Sequence, residues 1–304
     1  MNRLLNNPEQ VVDEMLAGYI ASYPDRFCKL DGYHVLLNKN EKDKVSIVIG
    51  AGGGNEPWPI GYVGEGLADA CSLGNVFAAP TAKSILNAIR YVPNEKGVLC
   101  IATNHAGDVL NFELVAGLAE MEGIHTRQIY VSDDITSAEK TQREERRGIA
   151  GVSLIVKIAA AASEAGLSLE EVYEIASMAN KNIYTVSVTT SPAYILPDGE
   201  MEYGMGFNGE KGIERTALST ADEVMERMVQ MLWEDMNLEP GEEIAVFLNP
   251  YKATTVLESY TLMRKCLELL EEKGIKVYDS YVDSLFPTQG AGGFSLTFLR
   301  MDEA

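Results

Sequence analysis

Basic residues are scarce in this chain: 25 Lys and Arg stand against 45 Asp and Glu, for a formal net charge of −20. A field of that sign repels phosphate backbones and anionic lipid, which argues against nucleic acid or a membrane surface as the main partner. It suits a neutral small molecule or a basic protein partner. Cysteine is thin as well, with Cys28, Cys71, Cys100 and Cys266 scattered and no CxxC pair. That spacing argues against a metal site and reads as buried free thiols in a reducing cytoplasm. No apolar run approaches the length a bilayer demands. Residues 1–23 mix polar and apolar side chains at helical spacing with no continuous apolar stretch, so no signal peptide is expected. A cytoplasmic protein is the reading.

What the chain does have is ordinary globular composition, 46% hydrophobic and 23% charged, over 304 residues. That length predicts two domains. The first half alternates helix and strand signals: a helix over 12–23, a buried strand over 44–50, a short helix over 64–73 and a helix over 81–92. Then come a strand over 97–103, a helix over 109–122 and a strand over 126–132. Such alternation implies an α/β fold with largely parallel or mixed sheets flanked by helices. Helices over 151–166 and 168–180 follow. From Ile183 the pattern changes to strand-like alternation, with Pro192, Pro197, Asp198 and Gly199 marking turns. The boundary is placed near residue 182, giving α/β domains over 1–182 and 183–304. The second holds helices over 221–236 and 255–273 and strands over 243–249, 276–281 and 294–300.

Ligands in such sheets collect where strands end and helices begin. The loops at 50–57, 104–108 and 132–134 all lie there. The first, Gly50-Ala-Gly-Gly-Gly-Asn-Glu-Pro57, lacks the Lys-Ser/Thr pair of a P-loop, and Asn55 stands where the dinucleotide fingerprint needs its third glycine. By itself it reads as a tight strand exit in which Gly52 and Gly53 let backbone approach a ligand. Asp108 has two readings, a helix N-cap or a general base for a substrate hydroxyl. His105, one of three histidines with His34 and His125, stands three residues away. A second glycine-rich turn, Gly204-Met-Gly-Phe-Asn-Gly-Glu-Lys-Gly212, presents Asn208.

Taken together these stretches resemble the K (substrate-binding) subunit of dihydroxyacetone kinases. The first turn is similar to that family's Gly-Gly-Gly-Ser-Gly-His-Glu-Pro loop. Gly61-Tyr-Val-Gly-Glu-Gly66 and Val76-Phe-Ala-Ala-Pro80 resemble its Gly-Phe-Val-Gly-Glu-Gly and Val-Phe-x-Ser-Pro segments, and 104–112 its Asn-Tyr-Thr-Gly-Asp-Val-x-Asn-Phe. Arg146-Arg-Gly-Ile-Ala-Gly151, Lys157-Ile-Ala159, Gly293-Phe-Ser-Leu-Thr297 and the opening Arg3-Leu-Leu-Asn-Asn-Pro8 also match. The second turn is similar to Gly-x-Gly-x-His-Gly-Glu-x-Gly. The resemblance spans essentially the whole chain, and implies that it ends somewhat short of the family's usual C-terminus.

The resemblance implies a substrate hydroxyl activated by Asp108, a homodimer, and ATP/ADP with Mg carried by a separate L-type subunit rather than by this chain. In the family a histidine of the second turn captures the ketone carbon as a hemiaminal and one of the first turn assists. Those positions fall on Asn208 and Asn55, and the family's tyrosine falls on His105. An amide nitrogen donates its lone pair into its own carbonyl, so Asn208 cannot form the hemiaminal. Asn55 has no pKa near neutrality for proton shuttling. Both can still hydrogen-bond a ketose or polyol. Three readings stay open: a kinase subunit holding a small ketose or polyol without a covalent link, a ligand sensor or co-regulator, and a fold relic.

Overall fold

A computed structural model describes residues 4–191 and 196–302; Arg3 of the opening motif and Pro192, read as a turn mark, lie outside the described residues. The chain divides into two compact units, Met1–Tyr130 with Leu154–Ser177, and Val131–Ser153 with Met178–Ala304. The boundary expected near 182 lies close to the second crossing. The excursion of 131–153 into the other unit has no counterpart in the sequence expectation.

The first unit runs α1 (Val11–Ser22), β1 (Phe27–Lys29), β2 (Val35–Asn38), β3 (Ser46–Gly53), β4 (Ala70–Val76), α2 (Ala82–Tyr91), β5 (Val98–Thr103), α3 (Ala106–Met121) and β6 (Thr126–Val131), with most of α4 (Val152–Glu164) and α5 (Leu169–Asn182). Its strands form one mixed sheet in the order β1-β2-β4-β3-β5-β6. β3 pairs in parallel with both β4 and β5, while β2 pairs antiparallel with β1 and β4. Parallel neighbours on both sides explain why Ile47, Val48 and Ile49 form a continuous apolar run. Val48, Val98, Cys100 and Ala102 of the sheet pack against Ile85 and Ile89 of α2 and Phe112 and Val115 of α3. On α4, Ser163 Oγ donates to the Val45 carbonyl.

The helix expected over 64–73 is instead the approach to β4 and most of that strand. Residues 70–73 are buried between β2 and β3, so they carry neither helical nor alternating periodicity. Short β1 and β2 gave no run long enough to read.

The second unit holds β7 (Ile183–Thr190), β8 (Glu200–Tyr203), β9 (Glu214–Ala217), α6 (Ala221–Met236), β10 (Glu243–Pro250), α7 (Val256–Glu272), β11 (Lys276–Val282) and β12 (Gly292–Arg300). Its sheet order is β11-β10-β12-β7-β8-β9, parallel only between β10 and β11. Both helices start on a capping box, Thr220 with Glu223 and Thr255 with Glu258. One sheet face, with Val186, Val188, Leu296 and Phe298, packs on Met225, Met228 and Leu232 of α6 and Leu262 and Cys266 of α7. The alternate positions Thr185, Ser187, Thr189, Ser295, Thr297 and Asn249 are polar, yet buried. Thr185 and Thr297 share a 2.8 Å hydroxyl contact, and Asn249 Nδ2 donates to Phe286 O and Ser295 Oγ.

The 131–153 excursion is fixed by charge. Asp133 accepts from the backbone N–H groups of Ile149 (2.7 Å) and Gly151 (2.8 Å), and Asp134 pairs with Arg147 at 2.8 Å. Buried Arg146 clamps Asp235 of α6 with two 2.7 Å bonds. Removing one partner strands the other charge, so Arg146→Met is expected to cost about 3 kcal/mol in urea unfolding, and Arg146→Met with Asp235→Leu to recover most of it.

Candidate functional site

β3 runs to Gly53, so most of the first glycine-rich stretch is strand rather than turn: Gly50 pairs with Ser72, Ala51 with Leu73 and Gly53 with Val76. The turn proper starts at Gly54, whose N–H donates to Glu56 Oε1 at 2.8 Å. Asn55 is buried in it, and its carbonyl accepts from Trp58 N–H at 3.1 Å.

After β4 the chain crosses back over this strand end. Residues 76–80 form a strap whose Phe77 N–H donates to Gly53 O at 2.8 Å. Gly52 makes the crossing possible, since a Cβ there would stand 2.7 Å from both the nitrogen and the oxygen of Ala78. A methyl at that distance from backbone cannot be accommodated without moving the strap. The strap then reaches α3. A Cβ on Gly107 would be 3.1 Å from that of Ala79, and Asn111 Nδ2 donates to Pro80 O at 2.8 Å. Beneath it, the Phe112 ring leaves only 3.0 Å for a Cβ at Gly50. The loops at 50–57 and 104–108 thus meet through the strap. The third expected loop, 132–134, belongs to the second unit, where Asp133 accepts from the backbone N–H groups of Ile149 and Gly151 and Asp134 pairs with Arg147.

Asp108 lies inside α3 rather than in the loop before it. His105, half-buried, is the N-cap residue and makes no side-chain capping bond, so Asp108 is the third helical residue and not the cap. It sits one turn before Phe112 on the buried face of the helix. Its carboxylate is 6% exposed by residue, and Oδ1 has no hydrogen-bond partner among the described residues. The helix N-terminus favours negative charge, yet burial wins and pushes the Asp108 carboxyl up to about 7. A carboxylic acid poised near neutrality can take a proton and give it back.

Asn208 lies in the second unit, on a turn whose backbone is tightly held and whose tip is open. Gly206 N–H donates to Glu210 O (2.9 Å), and Gly212 N–H to Glu202 Oε1 (2.6 Å). Phe207 is buried edge-on against Tyr251 and Phe286, at ring distances of 5.4 and 4.7 Å, and Thr288 Oγ1 donates to its carbonyl. Asn208 itself is exposed, and its backbone N–H donates to Glu210 Oε2 at 3.0 Å. Sequence reasoning placed Gly52, Gly53, Asn55, His105 and Asp108 in one unit with Asn208 in the other, as the structure has them. It quoted 76–80 as a family-like segment but gave it no place in the site. The signal was available: Ala78 and Ala79 are small residues opposite glycines.

A Dak1 domain family model matches residues 17–304. The PTS-dependent dihydroxyacetone kinase 2, dihydroxyacetone-binding subunit DhaK, of Listeria innocua is 38% identical across all of this chain and 95% of that protein. The L-erythrulose kinase of Pectobacterium atrosepticum is 34% identical across all of this chain and 54% of that longer protein. Among solved structures, the dihydroxyacetone kinase operon co-activator Dha-DhaQ superposes with a TM-score of 0.89 at 30% identity, covering 95% of this chain and 92% of its own.

Asp108 carries a stability signature of its own. Its carboxyl titrates near 3.8 unfolded and about 7 folded, so the folded state holds the proton more tightly. Stability is therefore lost as pH rises from about 4 to about 7, with a full penalty on the order of 4 kcal/mol above that window. Asp108→Asn removes the penalty. Its melting temperature should exceed that of the unsubstituted chain at pH 8, with the gap narrowing as pH falls toward 4. A constant gap across that range would refute the buried, unpartnered carboxylate.

Proposed function

The chain belongs to the Dak1 domain family, and from that premise we propose that it is the substrate-binding subunit of a dihydroxyacetone-kinase-type phosphotransferase. It holds a small ketose or polyol without a covalent link. The observation that carries this reading is the buried Asp108 carboxyl, with a free Oδ1 and a titration near neutrality.

In this reading the backbone at Gly52 and Gly53 lies against the substrate, and Asn55 and His105 hydrogen-bond its oxygens. The Asp108 carboxylate accepts the proton of the substrate hydroxyl. The oxygen so freed bonds to phosphorus as the donor's own P–O bond breaks. A nucleotide with magnesium on a separate L-type subunit supplies that phosphoryl group, and this chain contributes alignment and the base. Such division of labour suits a chain whose first glycine-rich stretch is spent as strand and lacks the Lys-Ser/Thr pair of a phosphate cradle. Among the described residues no group of three or more His, Cys, Asp or Glu is placed to hold a metal ion. The subunit works as a cytoplasmic homodimer.

A second reading, a catalytically silent ligand sensor or co-regulator, draws on the likeness to the co-activator Dha-DhaQ. The two readings part on turnover. With a nucleotide-bearing partner subunit and a panel of trioses and tetroses, the protein should transfer phosphate. Its rate should fall about tenfold per pH unit below about 7. Asp108→Asn should lose on the order of 10²- to 10⁴-fold in rate while still binding substrate. Complex formation without turnover on any substrate would remove the kinase reading and leave the sensor.

A further inference from the structure

The 76–80 strap carries one residue that proton transfer leaves unused. Among the described residues, Phe77 and Asn237 are the non-glycine positions with a left-handed backbone, at φ +57° and +49°. Asn237 closes α6, where asparagine is at home. Phenylalanine has no such affinity for this region, which glycine would occupy without strain. The conformation is enforced by the neighbours: Phe77 N–H donates to Gly53 O, Ala78 N–H donates to Asn75 O at 3.0 Å, and the Ala78 backbone abuts Gly52.

The ring rests on Gly54, where a Cβ would stand 2.6 Å from its Cε1. Gly54 itself has φ +113°, so both partners of this contact occupy backbone conformations that side chains disfavour. Despite that seat Phe77 stays 44% exposed. Neither core packing nor conformational ease accounts for an aromatic here. Its surroundings do. Gly54 precedes Asn55, and two residues beyond Phe77 the strap touches Gly107, the neighbour of Asp108.

A short ketose or polyol has an edge of oxygens and an edge of C–H groups. The Asp108 carboxylate answers the first edge. An aromatic face answers the second, as it does in pockets that combine apolar walls with a few placed polar groups. We propose that Phe77 is a specificity-determining residue whose ring, seated on Gly54, is the apolar wall bounding the carbon chain of the substrate at Asp108. This inference rests on the substrate-binding reading above. A wall at a fixed position limits chain length, because a fourth carbon must meet the ring where three do not.

Calorimetric titration of the full chain with dihydroxyacetone and with erythrulose tests the assignment, using Phe77→Gly and Phe77→Asn. Both replacements tolerate a left-handed backbone, so neither should lower the melting temperature. Each should weaken dihydroxyacetone binding about tenfold, the scale of a lost apolar contact in a specificity pocket, and shift the affinity ratio several-fold toward erythrulose. Unchanged ratios in both variants, with ligand still bound by the unsubstituted chain, would overturn the Phe77 assignment alone. A lower melting temperature with proportional loss for both ligands would make Phe77 a structural prop and overturn it too. Failure of the unsubstituted chain to bind either ligand would overturn the substrate-binding reading and this inference together.

Discussion

The close approach of the Ala78 backbone to Gly52 is the contact on which the first unit's site depends. Absence of a side chain at that strand position lets the strap lie flat across the end of β3. Once there, it places Ala79 against Gly107 and Pro80 within reach of Asn111. Those contacts tie the strap to α3, on whose buried face Asp108 lies. Loss of water, with no donor offered to Oδ1, raises its pKa. Glycine at 52, and at 74 where a Cβ would meet the Ala78 carbonyl oxygen at 1.8 Å, thus sets the strap's position beside α3.

The second unit solves a different problem. Its sheet buries hydroxyls and an amide on the face opposite the α6–α7 core, an arrangement that costs stability unless each group is bonded. Thr185 with Thr297, and Asn249 with Ser295 and the Phe286 backbone, meet that demand. The same sheet face reaches the 204–212 turn, since Ser187 Oγ donates to Met205 O. Tyr251 and Phe286 grip Phe207 one residue before the tip. A rigid base under an exposed tip holds Asn208 in a defined place, its backbone N–H and side-chain amide both turned to Glu210.

Much of this was legible in the sequence where local signals agree with tertiary context. Helices α6 and α7 carry capping boxes and amphipathic stripes, and both were read with near-correct ends. β3, β5 and β10 are apolar runs bounded by turn residues. What failed was context-dependent. Residues 70–73 lack periodicity because both faces of β4 are covered, and the helix reading followed. β8 and β9 are four residues each, too short to show alternation. The alternation in 184–190 was read as strand, but its polar half is buried, which no periodicity reveals. Asp108 was read as a loop residue because the glycine at 107 suggested an ending rather than a first helical turn. Its raised pKa was not legible at all, because it comes from tertiary burial of the helix face.

Fold likeness cannot separate the kinase reading from the sensor reading, since chains named for each are similar to this one along nearly its full length. The energetics of Asp108 can. A pocket that only reports ligand occupancy needs hydrogen-bonding groups, and asparagine would supply both donor and acceptor there without the ionisation penalty. An aspartate whose Oδ1 is left unpartnered gives up stability throughout the neutral range. It returns nothing to the fold, as the helix cap lies at His105 and no cation pairs with that oxygen. A raised carboxyl of this kind is what the proposed proton transfer would call on. That cost, carried in the first turn of α3, is the physical ground on which the proposed turnover is preferred to sensing.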